Sequence, residues 1–247
     1  SQVNQQLVDG MPVGPAPFYT QANVKTKAAA GFGEVTWNVT PRLHVIGGMR
    51  YSWERKVGRG SLLGGPEFEL GDGPSWDSWT PRLSVRYDVS DRANVYFTYS
   101  KGFKSGVLES VNLSQDIAQP ETLYSHEAGL KYSSPAASLN LSAFYYDYRN
   151  LQVQFYLGLG TALGNVPRAK IYGLDIDGSL RLADGVTLRA AGSWVPDADY
   201  GNYPNGVAFD FPLTAAGLQQ VVYDASGDRL LKTPKFSGNV TLNVERP

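Results

Sequence analysis

The chain has 247 residues, with 22 Lys and Arg against 23 Asp and Glu, so its net charge is −1 and no overall basic field favours nucleic-acid binding. Cysteine is absent, which excludes disulfide scaffolds, zinc ribbons and thiol catalysis. Charged residues make up only 18% of the chain, and no apolar run approaches the ~18 residues that a membrane helix needs. A helical membrane protein is therefore excluded, whereas a membrane β-barrel is not, because its apolar residues alternate with polar ones.

Apolar residues alternate with polar ones along most of the chain, with a period of two. In the run at 43–53, Leu43, Val45 and Met49 share one phase, whereas His44 and Arg50 lie in the other. Side chains of a strand point to opposite faces in turn, so each such run predicts a strand with one apolar face. In chain order, the runs lie at 29–39, 43–53, 83–89, 93–99, 128–132, 139–145, 174–182, 186–194 and 236–244. We predict about nine strands and no helix.

The connections between these runs are of two kinds. Short polar turns are predicted at 40–42, 90–92, 133–135 and 183–185. Long glycine-rich loops alternate with them, at 57–75, 102–120, 158–167 and 196–232. The predicted strands often reach ten residues, whereas soluble strands average about five or six. Long strands with short turns on one side and long loops on the other are typical of transmembrane barrels.

Charge is segregated between the two phases of the predicted strands. The apolar phase comprises about 42 positions and contains no Asp, Glu, Lys or Arg, while the opposite phase contains about twelve. The apolar phase also includes glycines such as Gly31, Gly47 and Gly192, which would pack a protein core poorly but which lipid tails tolerate. Aromatic residues collect toward strand ends, as in interfacial girdles. We expect the apolar phase to face lipid.

Several short motifs occur along the chain in a fixed order. They include TPRL at 40–43, SKGFKSG at 100–106, FYYDY at 144–148 and the segments 30–34, 48–51, 79–82, 120–123, 127–131, 151–154, 165–169, 173–175 and 233–236. In order and spacing they resemble the barrel of the TonB-dependent outer-membrane receptors, over about residues 17–247.

The resemblance implies an all-β fold, an antiparallel up-and-down transmembrane β-barrel wall with about nine strands of a 22-stranded barrel. It implies that residues 1–247 form a partial barrel domain, with the plug domain and the last strands outside this chain. The implied function is active uptake of a scarce ligand through the bacterial outer membrane, with ferric siderophores as the commonest substrates. The implied partners are outer-membrane lipid and the TonB complex, which is reached through the plug. No enzyme activity, cofactor or metal site is expected.

Six charged residues are predicted to lie toward the long-loop end of the strands. They are Arg50, Glu54, Lys101, Lys104, Arg149 and Lys170. Their excess of positive charge suits an anionic ligand such as a ferric chelate. Contact with anionic lipopolysaccharide would also gather Lys and Arg at this rim, and both interpretations remain open.

Three other classes of protein remain as alternatives. A passive porin-like channel would share the barrel but lack energy coupling. A barrel enzyme would need a histidine-containing pair near the rim, and the separation of His44 and His126 argues against one. A soluble β-sandwich would also show alternation, although with shorter strands. Finally, 158–164 is expected to be a glycine-rich loop tip, and 197–202 a solvated turn whose oxygen atoms could also bind calcium.

Overall fold

In the computed structural model, residues 7–8, 11–12, 20–62, 66–70, 73–108, 117–157, 160–214 and 217–245 are described, and their regular structure is β-strand. Nine long strands build one sheet. They are β1 (Thr20–Asn38), β2 (Leu43–Leu62), β3 (Ser75–Ser90), β4 (Ala93–Lys104), β5 (Glu121–Ser133), β6 (Ala137–Leu157), β7 (Gly160–Ala183), β8 (Val186–Asn202) and β9 (Phe236–Val244). Each pairs antiparallel with the next, which confirms the predicted count and the up-and-down order. The described residues contain no helix with the length and apolarity to span a membrane.

Shorter strands lie outside this nine-stranded path. Phe68–Leu70 pairs with β2, and three two-stranded ribbons join Leu7–Val8 to Met11–Pro12, Val107–Leu108 to Ile117–Ala118, and Gly206–Thr214 to Gly217–Tyr223. The four predicted short turns all connect neighbouring long strands. We call the side of the sheet at which these short turns join the strands the turn end, and the opposite side the loop end.

The long loops contain more strand than the sequence predicts. β6 continues to Leu157 and β7 begins at Gly160, so most of the predicted loop at 158–167 is a paired ribbon. Likewise, 197–202 belongs to β8 and pairs with β7, so it is not a turn. Backbone hydrogen bonds extend these strands beyond the apolar band, and a high glycine content does not by itself show where such pairing ends. Residues 158–159 lie outside the described part of the loop.

Cross-strand partners show that the apolar phase forms one continuous face. One row crosses all nine strands and consists of Trp37, Val45, Val85, Phe97, Ala128, Ala143, Leu174, Trp194 and Phe236. Residues directly opposite each other in an antiparallel pair lie on the same face. We call this side of the sheet the apolar face and the other side the polar face.

Among the described residues, no second layer of protein covers the apolar face. In the interior of the sheet, Leu83 is 48% exposed, Phe97 45% and Ile176 50%. A β-sandwich buries such residues between its two sheets. Soluble monomers rarely expose apolar patches larger than a few hundred Å². The described residues therefore have the form of a single wall with one uncovered apolar face, as expected of a surface that faces lipid.

Aromatic residues border the apolar face toward the loop end. The row of Tyr99, His126, Tyr145 and Tyr172 crosses four neighbouring strands. The His126 ring lies 5.2 Å from that of Tyr99 and 6.2 Å from that of Tyr145, measured between centroids. The next row consists of Lys101, Tyr124, Asp147, Lys170 and Asp199. The change from aromatic to charged residues marks the edge of the apolar band, as expected of an interfacial girdle.

The register also fixes the tilt of the strands. The row that contains Val45 lies further from the short turns on each later strand. Counted from the first residue after a short turn, the position of the row increases by two residues from β2 to β4, from β4 to β6 and from β6 to β8. Val45 lies two residues after Leu43, Phe97 four after Ala93, Ala143 six after Ala137, and Trp194 eight after Val186. A stagger of one residue per strand corresponds to a tilt of about 35°, given ~3.3 Å per residue and ~4.8 Å between strands. Barrel strands are tilted by about 35–45°.

Polar side chains pair with one another across the polar face. Arg82 and Glu34 form an ion pair of 3.0 Å, and Tyr96 donates a hydrogen bond to Glu127. Near the turn end, His44 contacts Asp88 at 2.9 Å and Asn38 at 2.6 Å. The two histidines therefore lie on opposite faces, His44 on the polar face and His126 in the aromatic border.

Candidate functional site

A cleft on the polar face, at the loop end, contains half of the predicted site residues. Its volume is about 560 Å³, and it lies between β1, β2 and the end of β4. The polar or charged side chains that line it are Arg50, Ser52, Glu54, Lys104 and Ser105. Arg50 and Glu54 lie at even-numbered positions of β2, which are on the polar face. Lys104 lies in the polar-face phase of β4. Alternation and the up-and-down order thus bring together residues that are 54 positions apart in the chain.

The charges in this cleft do not cancel. Glu54 accepts a hydrogen bond of 2.6 Å from Ser105 and forms an ion pair of 3.0 Å with Lys56, so its charge is compensated. The Nε of Arg50 donates to the Ser52 hydroxyl, which is neutral. Neither Arg50 nor Lys104 forms an ion pair with any residue that the structure describes. The cleft therefore presents two uncompensated cations.

Lys101, Arg149 and Lys170 occupy the other phase of the alternation. By register they continue the phase of the apolar face beyond its aromatic border. Lys101 donates to the Ser78 hydroxyl at 3.2 Å, close to Ser52, the register partner of Ser78. The sequence indicates the register of both lysines, because Lys101 is two residues after Tyr99 and Lys170 two before Tyr172. The Lys101 ammonium nevertheless reaches the polar face, where Ser78 and Ser52 lie. The structure therefore places Arg149 and Lys170 apart from the other four candidates.

Arg149 is compensated by a neighbouring carboxylate. Its Nη2 donates to Asp147 at 2.9 Å, and Arg168 binds the same carboxylate through two nitrogen atoms at 2.9 and 3.0 Å. Burial raises the pKa of Asp147, but the hydrogen bond from Arg168 and the charges of both arginines outweigh this effect, so the net pKa lies below the ordinary value. Asp147 is therefore a fixed anion between two guanidinium groups.

Lys170 lies near two acidic residues on β8. Asp199 is its register partner, and the positive charge of Lys170 lowers the pKa of that carboxyl. Burial and the nearby Asp197 raise it by more, and the net pKa of Asp199 lies above its usual value. No group of three or more His, Asp or Glu side chains in the described part of the chain is arranged to hold a metal ion.

Part of the long segment after β8 packs back onto the wall. Leu230 contacts two buried clusters, one around Phe144 and Ala198 and the other around Val166 and Tyr200. Arg229 anchors this segment by donating hydrogen bonds to the carbonyl oxygens of Val195, Pro196 and Thr233. The segment 196–232, which the sequence predicts to be a long loop, is therefore structured over much of its described length.

Two larger clefts lie elsewhere and contain none of the six candidates. One, of about 620 Å³, is lined mainly by apolar residues of β6–β9, including Leu139, Ile176 and Val240, on the apolar face. The other, of about 700 Å³, lies at the turn end beside Arg92 and Ser133. The first faces lipid and the second lies far from the long loops, so the cleft at Arg50 is the better candidate for ligand contact.

Sequence reasoning did not single out several residues that shape this site. Lys56, Trp76 and Ser105 surround the end of β4, and Gln152 and Asn165 hold the segment before β5. Ser105, Gln152 and Asn165 lie within the motifs described above, but nothing in a single sequence indicates that they meet.

The family model for TonB dependent receptor-like β-barrels matches residues 2–246. The pesticin receptor of Yersinia enterocolitica is 27% identical over 181 residues, which cover 71% of this chain and 26% of that receptor. The pesticin receptor of Yersinia pestis is 26% identical over 180 residues. The chain thus spans about a quarter of the length of these curated relatives.

Solved structures share the fold at low sequence identity. The ferric yersiniabactin uptake receptor FyuA from Yersinia pestis superposes with a TM-score of 0.69 at 19% identity, over 92% of this chain and 32% of that one. The siderophore receptor PiuA from Acinetobacter baumannii gives 0.69 at 15% identity, over 89% and 31%. The pyoverdine outer membrane receptor FpvA from Pseudomonas aeruginosa gives 0.61 at 17% identity, over 94% and 29%.

Proposed function

This chain belongs to the TonB-dependent receptor β-barrel family, and from this membership we propose that it is the wall of an outer-membrane receptor for active, TonB-energised uptake of a ferric siderophore. The chain lies in the bacterial outer membrane, with its apolar face toward lipid. Relatives named for ferric yersiniabactin uptake and for pyoverdine binding support this substrate class. The proposal includes a plug domain and further strands elsewhere in the full protein.

The observation that carries the proposal is the charge of the cleft at Arg50. The cleft combines Arg50 and Lys104 with Glu54, whose charge is compensated by Lys56 and whose carboxylate accepts a hydrogen bond from Ser105. Two free cations beside a compensated anion attract a negatively charged ligand, and this attraction weakens as salt is added. We propose that the cleft contacts the anionic part of the ferric chelate.

Two further cations support a different partner. Arg149 and Lys170 follow the phase of the lipid-contacting face, directly beyond its aromatic border. Anionic head groups occupy this level of the membrane. We propose that these two residues contact lipopolysaccharide and that the chelate is bound by the residues of the cleft at Arg50.

The test uses the full-length receptor in membrane vesicles, with a strongly anionic ferric catecholate and a neutral ferric trihydroxamate as probes. We expect Arg50→Ala and Lys104→Ala each to weaken catecholate binding about tenfold, which corresponds to about 1.4 kcal/mol. Added salt should weaken catecholate binding to the parent protein more than trihydroxamate binding. Lys27→Ala is the matched control, because Lys27 is exposed on β1 and lines no part of the cleft.

Two outcomes would contradict the proposal. If Arg149→Ala weakened binding whereas Arg50→Ala did not, the ligand would be bound on the other side of the rim. If uptake continued after collapse of the proton gradient, the protein would be a passive channel.

A further inference from the structure

A chain of side-chain hydrogen bonds crosses the loop end of the wall and links strands that are not neighbours. We call it the rim chain, and it consists of Glu54, Lys56, Ser105, Gln119, Gln152 and Asn165. Ser105 directly follows β4 and lies at the centre.

On one side, the rim chain joins the end of β4 to β2. Lys56 donates to the Ser105 hydroxyl at 3.1 Å and to the Gly106 carbonyl at 2.7 Å, and Ser105 in turn donates to Glu54 at 2.6 Å. β3 lies between these two strands, and its Trp76 ring is 5.7 Å from the Lys56 ammonium. A Cβ at Gly106 would lie 2.3 Å from Trp76, so only glycine allows this close approach.

On the other side, the rim chain joins the same point to β6 and β7. The Gln152 amide donates to the Ser105 carbonyl at 2.9 Å and to the Gln119 carbonyl at 3.0 Å. Asn165 donates to the Gln119 carbonyl at 2.9 Å and accepts from the Gln119 backbone N–H at 2.7 Å. Gln152 is only 8% exposed, so these bonds are largely shielded from water.

The rim chain supplies a restraint that the strand ladders do not. Ladder hydrogen bonds connect each strand only to its neighbours, and the angle between neighbours in a sheet varies widely. Contacts from β2 to the end of β4, and from there to β6, skip one strand on each side and fix the local curvature. They also fix the backbone immediately after Lys104, whose side chain lines the cleft opposite Arg50.

We propose that the rim chain is a positioning device that holds Lys104 against Arg50 for ligand recognition, with Lys56 and Gln152 as its positioning residues. The inference rests on the proposed function, because it assigns these residues a role in the same cleft. Neither needs to touch the ligand. Their role is to keep the two cations at a fixed separation, and a preorganised site binds more tightly because less conformational freedom is lost on binding.

The experiment measures both position and binding in the full-length receptor. Spin labels at Arg42→Cys, in the short turn before β2, and at Lys104→Cys report the distance distribution between β2 and the end of β4. Binding of the ferric catecholate is measured in otherwise identical receptors without labels. We expect Gln152→Met, and Lys56→Met combined with Glu54→Gln so that the net charge of the cleft is unchanged, to broaden the distribution and to weaken binding about tenfold, while thermal unfolding of the barrel stays close to that of the parent.

Conservative and control variants separate positioning from general stability. Lys56→Arg retains a cation with several donors and should restore both the narrow distribution and the binding. Lys25→Met removes an exposed lysine of β1 outside the cleft and should change neither.

An unchanged distance distribution in both methionine variants would overturn the proposal, and so would a broadened distribution with unchanged binding. If the parent binds neither the catecholate nor the trihydroxamate, the proposed function fails. The distance distributions then still decide whether the rim chain holds Lys104.

Discussion

Asp147 shows how one side chain links two strands at the border of the apolar face. Its side chain is 13% exposed and accepts hydrogen bonds from Arg149 on its own strand and from Arg168 on β7. Its register partners are Tyr124 on β5 and Lys170 on β7. A carboxylate with two guanidinium partners is stabilised in its ionised form, which the lowered pKa expresses.

The lowered pKa of Asp147 predicts a pH dependence of stability. A carboxyl whose pKa is lower in the folded state stabilises that state above its unfolded pKa of about 3.9, and this contribution is lost as pH falls through the folded-state value. We expect the unfolding temperature to fall more from pH 5 toward pH 3 in the parent than in Asp147→Asn. Near pH 7, Asp147→Asn should be less stable by about 1.5–3 kcal/mol, because hydrogen bonds to a charged acceptor are lost. Equal pH profiles for the two proteins, from thermal unfolding in detergent, would contradict this assignment.

At the scale of the element, each long strand has a segment with one apolar face and a segment beyond the membrane. In β6, Leu139, Leu141, Ala143 and Tyr145 face lipid, and Asp147 follows them in the same phase. The strand nevertheless continues to Leu157 through further backbone pairing with β7. The bilayer determines which residues alternate, whereas the hydrogen-bond ladder determines how long the strand is.

The two faces of β6 predict opposite effects of the same substitution. Leu141→Arg places a charge within the apolar band and should cost about 2–4 kcal/mol, the range measured near the bilayer midplane. Ser142→Arg is the matched control, since Ser142 is on the polar face opposite Asp175, whose carboxylate can compensate the new charge. Assembly is measured as the fraction of folded, heat-modifiable receptor in membranes. Equal assembly of both variants would show that the faces are wrongly assigned.

The division of each long strand into a lipid-facing segment and a segment beyond the membrane explains how much of the fold the sequence could predict. The nine strands and the turns at 40–42 and 183–185 were predictable, because lipid excludes charge from one phase of every strand. The ribbon formed by 151–157 and 160–166 was not predicted, because the glycine-rich run at 158–164 indicates a loop, although apolar and polar residues alternate at 151–157. For the candidate site, alternation correctly placed Arg50 and Glu54 on the polar face of β2. Lys56 and Gln152 could not be inferred, because their contacts skip a strand and depend on the curvature of the sheet.

At the scale of the whole molecule, the sheet has two free edges. β1 and β9 are the ends of the strand order, and in the described residues each pairs on only one side, as the sequence predicted for 28–39 and 236–244. The stagger of one residue per strand gives the tilt of a barrel wall. A barrel closes only when its first and last strands pair, and the described strands leave these two edges apart.

Free edges predict how a polypeptide of residues 1–247 behaves by itself. Every unpaired N–H or C=O group in the hydrocarbon layer costs several kcal/mol, and part of the 19-residue strand β1 forms such an edge. After refolding into detergent micelles, we expect this polypeptide to form oligomers or aggregates, because exposed edges pair with other chains. The measurements are light scattering for the mass of the particle and gel mobility before and after heating for barrel closure. In the full-length receptor proposed above, further strands would pair with β1 and β9, and this protein should give a monomer whose mobility changes on heating. A monomeric, heat-resistant species of the isolated polypeptide would instead show that nine strands close on themselves.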